Sequence, residues 1–256
     1  MLLAVDVGNT QTVFGLYQGA ELGDRWRIAT EAQRTGDELG ALLSDFLDLS
    51  ALEGICLSST VPRLIREYEH VAARWAKARL LVLGPGVATG IAIRYDDPRE
   101  VGPDRIANAV AAKERFGAPV IVVDFGTSTN FDVVSPAGDY VGGVLAPGIE
   151  TSMDALFARA ARLVKVDYTE PETVIGKTTE SALRSGLVYG FAGQVDGIVD
   201  AVRGELGVEA PVVATGGLAD LIAPHSRRIS RVEPFLTLDG LRLIWERNAA
   251  GSSAAG

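Results

Sequence analysis

Cysteine is nearly missing. Of 256 residues only Cys56 carries a thiol, which excludes a disulfide framework or a cysteine-rich zinc site and fits a reducing compartment. Two histidines are present, His70 and His225; both lie outside every motif and read as surface residues rather than bases or ligands. There is no basic excess. The formal net charge is −9, which argues against non-specific nucleic-acid binding because phosphate backbones would be repelled, though it leaves room for a local anion pocket. There is no long apolar run either. The stretch from Leu80 to Ile93 is broken by Gly84, Pro85, Gly86 and Gly90, so no membrane span is expected. The opening MLLAVDVGNT has no basic segment before its apolar residues, and Asp6 interrupts them. It reads as a buried strand, not a signal peptide, and the expected location is cytoplasmic. No Gly-x-x-x-x-Gly-Lys-Ser/Thr loop occurs, and Gly84-Pro85-Gly86 lacks the third glycine of a dinucleotide fingerprint.

Hydrophobic residues make up 47% of the chain, enough for one large domain or two moderate ones. Strand and helix patterns alternate. Strands are expected at Leu2–Val7, Thr12–Tyr17, Arg25–Ala29, Gly54–Ser59 and Leu80–Leu83, and helices at Asp37–Leu47, Pro62–Ala76 and Pro103–Phe116. A second cycle starts at Pro119. It has strands at Val120–Asp124, Asn130–Val134, Tyr140–Ala146 and Pro211–Ala214, and helices at Ile149–Leu163, Thr179–Leu206, Leu218–Ala223 and Leu238–Asn248. The Ala/Gly/Ser tail, 249–256, reads as disordered. The expected organisation is two related α/β domains, 1–117 and 118–248, with a cleft between them.

The two cycles superpose on one feature. Asp6-Val-Gly-Asn-Thr-Gln-Thr closes the first strand of one half, and Asp124-Phe-Gly-Thr-Ser-Thr-Asn closes the first strand of the other. A carboxylate at a strand end emerges where open α/β sheets bind ligands. The glycine lets backbone approach a ligand closely, and the hydroxyl and amide side chains add neutral donors. Such a set suits a polyphosphate carrying Mg²⁺. A single turn of this kind is most simply a hairpin, since Asp and Gly make turns; two at matching places favour a phosphate clamp. Thr215-Gly216-Gly217, between a strand and a helix, fits either the adenosine face of a nucleotide or an ordinary connection.

Strand–Asp–x–Gly hairpins in duplicated halves with a late Gly-Gly turn resemble the actin/sugar-kinase/heat-shock ATPase superfamily and its ribonuclease-H-like domains. Within it, the chain resembles the type III pantothenate kinases over nearly its whole length. The runs that carry this are Asp6-Val-Gly-Asn-Thr-Gln-Thr-Val, Glu100-Val-Gly-Pro-Asp-Arg-Ile-Ala-Asn-Ala, Asp124-Phe-Gly-Thr-Ser-Thr, Gly142-Gly-Val-Leu-Ala-Pro-Gly-Ile, Ile175-Gly-Lys-Thr-Thr and Ser185-Gly-Leu-Val-Tyr-Gly-Phe-Ala-Gly-Gln-Val-Asp-Gly. Three positions depart from the family pattern: Ser128 where Ala is usual, Asn130 where Thr is usual, and Val164 where Pro is expected after Ala-Arg-Leu.

The resemblance implies ATP-dependent phosphorylation of pantothenate to 4′-phosphopantothenate, the first step of coenzyme A biosynthesis. It implies that Asp6, Val7, Gly8, Asn9, Thr10, Gln11, Thr12 and Val13 hold the ATP phosphates, with Asp6 on Mg²⁺ through water. Asp104 would accept the proton of the pantothenate hydroxyl. Tyr95, Gly102, Pro103, Asp104 and Arg105 would contact pantothenate, as would Thr179, supplied by the partner of a homodimer. Asp124 would hold a monovalent cation, K⁺ or NH₄⁺, and Thr127 would touch ATP.

Each residue also has a plainer reading. Asp104 fits a helix-start acid favoured by the macrodipole; in either role the helix and Arg105 are expected to keep it ionised. Arg105 fits a surface ion pair, of little weight, or a planar fork gripping the vitamin. Tyr95 fits a packed aromatic, Thr179 an N-cap, Asp124 a second Mg²⁺ ligand, and Lys177 a phosphate contact or an exposed side chain. Two rivals remain. A catalytically silent relative serving as an accessory regulator of transcription would be expected to lose some of Asp6, Asp104, Arg105 and Asp124; all four are present. Another phosphotransferase or phosphohydrolase of the superfamily would be expected to be longer, with a glutamate placed to orient water.

Overall fold

The computed structural model describes residues 1–160 and 166–250. Val164, the end of the helix expected to reach Leu163, and tail residues 251–256 lie outside the described residues. By packing, the chain divides into two compact units. The first comprises 1–92, 96–111 and the chain from Leu236 onward; the second comprises 93–95 and 112–235. This differs from a division at Gly117, and the last helix packs on the first strands.

In the first unit, β1 (Leu2–Val7), β2 (Gln11–Gln18) and β3 (Glu21–Ala29) form an antiparallel meander. β4 (Gly54–Ser59) runs parallel to β1 on its other side, and β5 (Arg79–Val82) parallel to β4. The order is β3-β2-β1-β4-β5. One face of this sheet, with Leu3, Val5, Val7, Ile55 and Leu57, packs on α1 (Gly36–Phe46) and α2 (Pro62–His70). α1 starts with a capping box between Thr35 and Glu38. The helix expected to run unbroken to Ala76 changes at Val71 into a wider π-helical turn. That turn seats the Trp75 indole over Gly40, where a Cβ would lie 2.3 Å from the ring.

α3 (Pro103–Phe116) starts in the first unit and crosses the division between Ala111 and Ala112. The second unit repeats the plan. β6 (Val120–Phe125), β7 (Ser128–Val134) and β8 (Tyr140–Pro147) form the meander, β9 (Val212–Gly216) is parallel to β6, and β10 (Arg231–Val232) is parallel to β9. The order β10-β9-β6-β7-β8 is that of the first sheet read from its other edge. α4 (Ile149–Arg159), the 28-residue α5 (Thr179–Leu206) and the short α6 (Ala219–Ile222) surround it. α7 (Leu236–Ala250) returns to the first unit and covers the other face of β1 and β4. There a Cβ on Gly54 would lie 1.9 Å from Trp245. Both units are therefore ribonuclease-H-like, each a mixed sheet flanked by helices.

Asp196 of α5 is a buried carboxylate that accepts from Ser226 Oγ (2.7 Å), the amides of Arg227 (3.0 Å) and Arg228 (3.2 Å), and Arg227 Nε (3.0 Å). Burial, the largest single influence, opposes its charge, but these donors together hold its carboxyl below the usual carboxylate range. Asp196→Ala should lower stability by about 1–3 kcal/mol, since the Ser226 hydroxyl and the part-buried Arg227 and Arg228 amides lose their acceptor. Because the folded carboxyl is depressed, the loss should be full at neutral pH and fade as pH falls through that depressed value. Chemical denaturation at pH 7 and pH 3 measures both.

Candidate active site

Asp6 is the penultimate residue of β1, and Asp124 holds the same place in β6. Each pairs with an antiparallel neighbour, Val13 or Asn130, and with a parallel one, Ser58 or Thr215. The first hairpin closes with the Gly8 amide donating to Gln11 O at 3.0 Å. Asn9, Thr10 and Gln11 are exposed at its tip, while Val7 and Thr12 are buried. The Thr12 hydroxyl hydrogen-bonds the Thr30 hydroxyl at 2.9 Å, and the Thr30 amide donates to Thr10 O at 2.9 Å. Of the hydroxyls expected to reach a ligand, that of Thr12 is thus turned to the scaffold. Thr30 fixes the loop's backbone, a contribution invisible in sequence because it comes from the far end of β3.

The second hairpin closes with Gly126 N donating to Ser128 O at 3.0 Å. Thr127 sits exposed at its tip, and its carbonyl accepts from Thr151 Oγ1 of α4 at 2.8 Å. Gly148, which precedes α4, backs onto this tip: a Cβ there would stand 2.2 Å from Thr127 O. The two unusual residues, Ser128 and Asn130, bond each other, with the serine hydroxyl donating to Asn130 Oδ1 at 2.6 Å. Gly216 has φ +93°, and a Cβ would lie 2.6 Å from Asp124 Oδ1. The Gly-Gly turn is therefore no interchangeable connection; it makes room for the Asp124 carboxylate.

The third element is the start of α3. The Gly102 carbonyl accepts from the amides of Arg105 (3.1 Å) and Ile106 (3.3 Å). Pro103 occupies the first turn, where its missing N–H costs nothing. Asp104 Oδ1 accepts from the Arg105 amide at 2.9 Å. Burial pushes the Asp104 carboxyl above its ordinary value, against the opposing pull of that amide and of the Arg105 charge. Helix and Arg105 are expected to keep it ionised; burial opposes them and outweighs the arginine. Arg105 is buried, not a surface ion-pair residue.

Tyr95 is half-buried and lies in the second unit, its ring against Gly142, where a Cβ would meet Cε2 at 3.4 Å. Thr179 is exposed, and the N-cap of α5 is its neighbour Thr178, boxed with Ser181. The capping role expected of Thr179 thus belongs one residue earlier. Lys177 is exposed. His70 bonds Asp37 Oδ1 at 2.8 Å. His225 is packed rather than superficial, its side chain 13% exposed beside Glu170 and edge-on to Tyr189 at 5.1 Å. Among the described residues no group of three or more His, Cys, Asp or Glu side chains could hold a metal. A lone carboxylate among neutral donors fits Mg²⁺, which keeps waters and takes oxygens from phosphate. Among the described residues no helix is long and apolar enough to cross a membrane.

The model of the family described as type III pantothenate kinase matches residues 2–201. The chain belongs to the type III pantothenate kinase family. It is 53% identical over 253 residues to the type III pantothenate kinase of Acidothermus cellulolyticus, covering 97% of this chain and 99% of that one. Against the type III pantothenate kinase of Moorella thermoacetica the figures are 50% over 253 residues, 97% and 100%. A solved structure from Campylobacter jejuni, of a conserved protein described as a Baf family transcriptional activator, aligns with TM-score 0.62 at 19% identity, covering 97% and 99% of the two chains. That likeness concerns the fold alone. Membership in the pantothenate kinase family rests on the close relatives, whose matches run the length of both units.

Proposed function

We propose that Asp104 is the proton acceptor, and the two acidic hairpins the phosphate and cation sites, of a pantothenate kinase. The chain transfers the γ-phosphoryl group of ATP, with Mg²⁺, to pantothenate, giving 4′-phosphopantothenate in coenzyme A biosynthesis. The observation that carries this is identity near 50% to kinases of that name over 97% of the chain. The same observation disfavours a silent accessory regulator.

Phosphoryl transfer passes through a loose transition state, so positioning and charge neutralisation do most of the catalysis. The hydroxyl loses its proton late to Asp104. Burial raises the Asp104 carboxyl, and an upward-shifted carboxylate is a stronger base than an ordinary one. The Arg105 fork grips a carboxylate or amide of the vitamin, and Gly102, Pro103, Tyr95 and Thr179 are its further contacts. The loop from Asp6 to Val13 takes the phosphates, and Asp6 would hold Mg²⁺ through water, an ion that would offset their charge. Asp124 holds K⁺ or NH₄⁺, and Thr127 touches ATP.

The working unit in this reading is a cytoplasmic homodimer that binds no nucleic acid. α5 supports the dimer. Gly186, Gly190, Gly193, Gly197 and Gly204 fall within an arc of roughly 60° at 3.6 residues per turn. All five are exposed, and a Cβ at any of them would meet nothing in this chain. Each glycine costs a helix about 0.5–1 kcal/mol, a cost that close approach of a second helix would offset. Thr179 lies on the same arc, as a residue donated to a partner should.

ADP release measured with and without pantothenate, and with K⁺ exchanged for Na⁺, tests the assignment. We expect release to require pantothenate, to fall without K⁺, and to be unsupported by acetate or polyphosphate. Equal ADP release without pantothenate would sink it.

A further inference from the structure

Ser58 is fully buried, and its hydroxyl has no hydrogen-bond partner among the described residues. Such an orphan is unusual and calls for a cause, because replacing it by an apolar group would relieve a desolvation penalty. Its place in the sheet supplies one. Ser58 pairs in parallel register with Asp6, and paired residues on adjacent strands project from the same face, with strands about 4.8 Å apart. That face is the one carrying Ala4, Asp6, Cys56 and Ser58, opposite the Leu3, Val5, Ile55 and Leu57 face that packs on α1 and α2. Asp6 Oδ1 is buried there too. Parallel pairing thus sets the Ser58 and Asp6 side chains side by side on that face. The second unit repeats the arrangement, with buried Thr215 in parallel register beside Asp124.

We propose that Ser58 is a positioning residue for Asp6: its hydroxyl donates to the Asp6 carboxylate when ATP and Mg²⁺ are bound, fixing the carboxylate that faces the metal's water shell. This rests on the assignment of Asp6 to Mg²⁺ made above. The hydroxyl is then left without a protein partner so that it is free for the carboxylate when ATP and Mg²⁺ bind. Orphan status and function are two sides of one compromise between stability and binding.

Calorimetric titration of full-length protein with ATP at graded Mg²⁺, without pantothenate and hence without turnover, reads the effect directly. In Ser58→Ala the Mg²⁺ needed for half-maximal tightening of ATP binding should rise about tenfold, equivalent to about 1.4 kcal/mol at the metal. Mg²⁺-free ATP affinity should not change, and Tm should be equal or higher. Ser58→Thr, which retains the hydroxyl, should restore the Mg²⁺ response. Asp6→Asn is the control arm. If it shifts the Mg²⁺ response and Ser58→Ala does not, the role of Ser58 is overturned and that of Asp6 stands. If Asp6→Asn is also silent, the metal assignment falls and takes this proposal with it. A lower Tm, or failure to fold, in Ser58→Ala would overturn the proposal as well, since the hydroxyl would then have a structural use.

Discussion

Replacing Asp104 by asparagine should cut turnover by about 10²–10⁴-fold, the usual contribution of a positioned proton acceptor, with ATP affinity unchanged. The same substitution should raise Tm at neutral pH. The sign follows from burial. The carboxyl of Asp104 is pushed above its ordinary value, chiefly by desolvation, so the folded state holds that proton more tightly than the unfolded chain does. Its stabilising contribution is complete below the unfolded value and is lost as pH rises through the folded one. Once pH exceeds the folded value, the buried charge weighs against folding, and asparagine removes it. In the wild-type enzyme kcat should fall on the acid side, as pH drops through the raised value. In Asp104→Asn that limb should disappear along with most of the turnover. Steady-state kinetics and thermal melts from pH 4.5 to 8 give both readings. Turnover equal to wild type would remove Asp104 from its role. A lower Tm at pH 7 would refute the view that its charge is held at a cost.

The duplicated hairpins were legible because their signal is local. A buried apolar strand that ends in Asp-x-Gly with polar residues beyond it carries its own period and its own turn. Both strand ends fell where the two sheets have them, with boundaries off by one or two residues except in β3, which begins four residues earlier than expected. What was not legible depends on residues distant in sequence. The return of α7 to the first unit is set by Trp245 against Gly54 and by Tyr17 OH donating to Asp239 at 2.7 Å, a contact across 222 residues. The two-residue β10 has no period to detect. Thr30 on Thr12, and Ser58 beside Asp6, arise from strand pairing, so nothing in their own neighbourhood announces them. The upward shift of Asp104 is likewise tertiary. The sequence places it at a helix start beside an arginine, which argues for an easily ionised acid, and only burial reverses the balance.

The glycine face of α5 gives the other large expected effect. Gly190→Gln in the middle of the face should convert the proposed dimer into a monomer. The chain itself has room for the new side chain, since a Cβ at 190 meets no atom within it. Glutamine is also a far better helix former than glycine, so α5 alone should gain about 0.5–1 kcal/mol. The only thing harmed is the close approach of a second helix. Sedimentation should show the wild type at twice the mass of the variant at the same concentration. If Thr179 contacts pantothenate from the partner as proposed, activity per chain should drop about tenfold or more, mainly through a higher KM for pantothenate. Far-UV circular dichroism should show no loss of helix, separating this outcome from misfolding. A variant that remains dimeric with unchanged KM would show that the face is not the interface, leaving five exposed glycines in one helix without a physical reason.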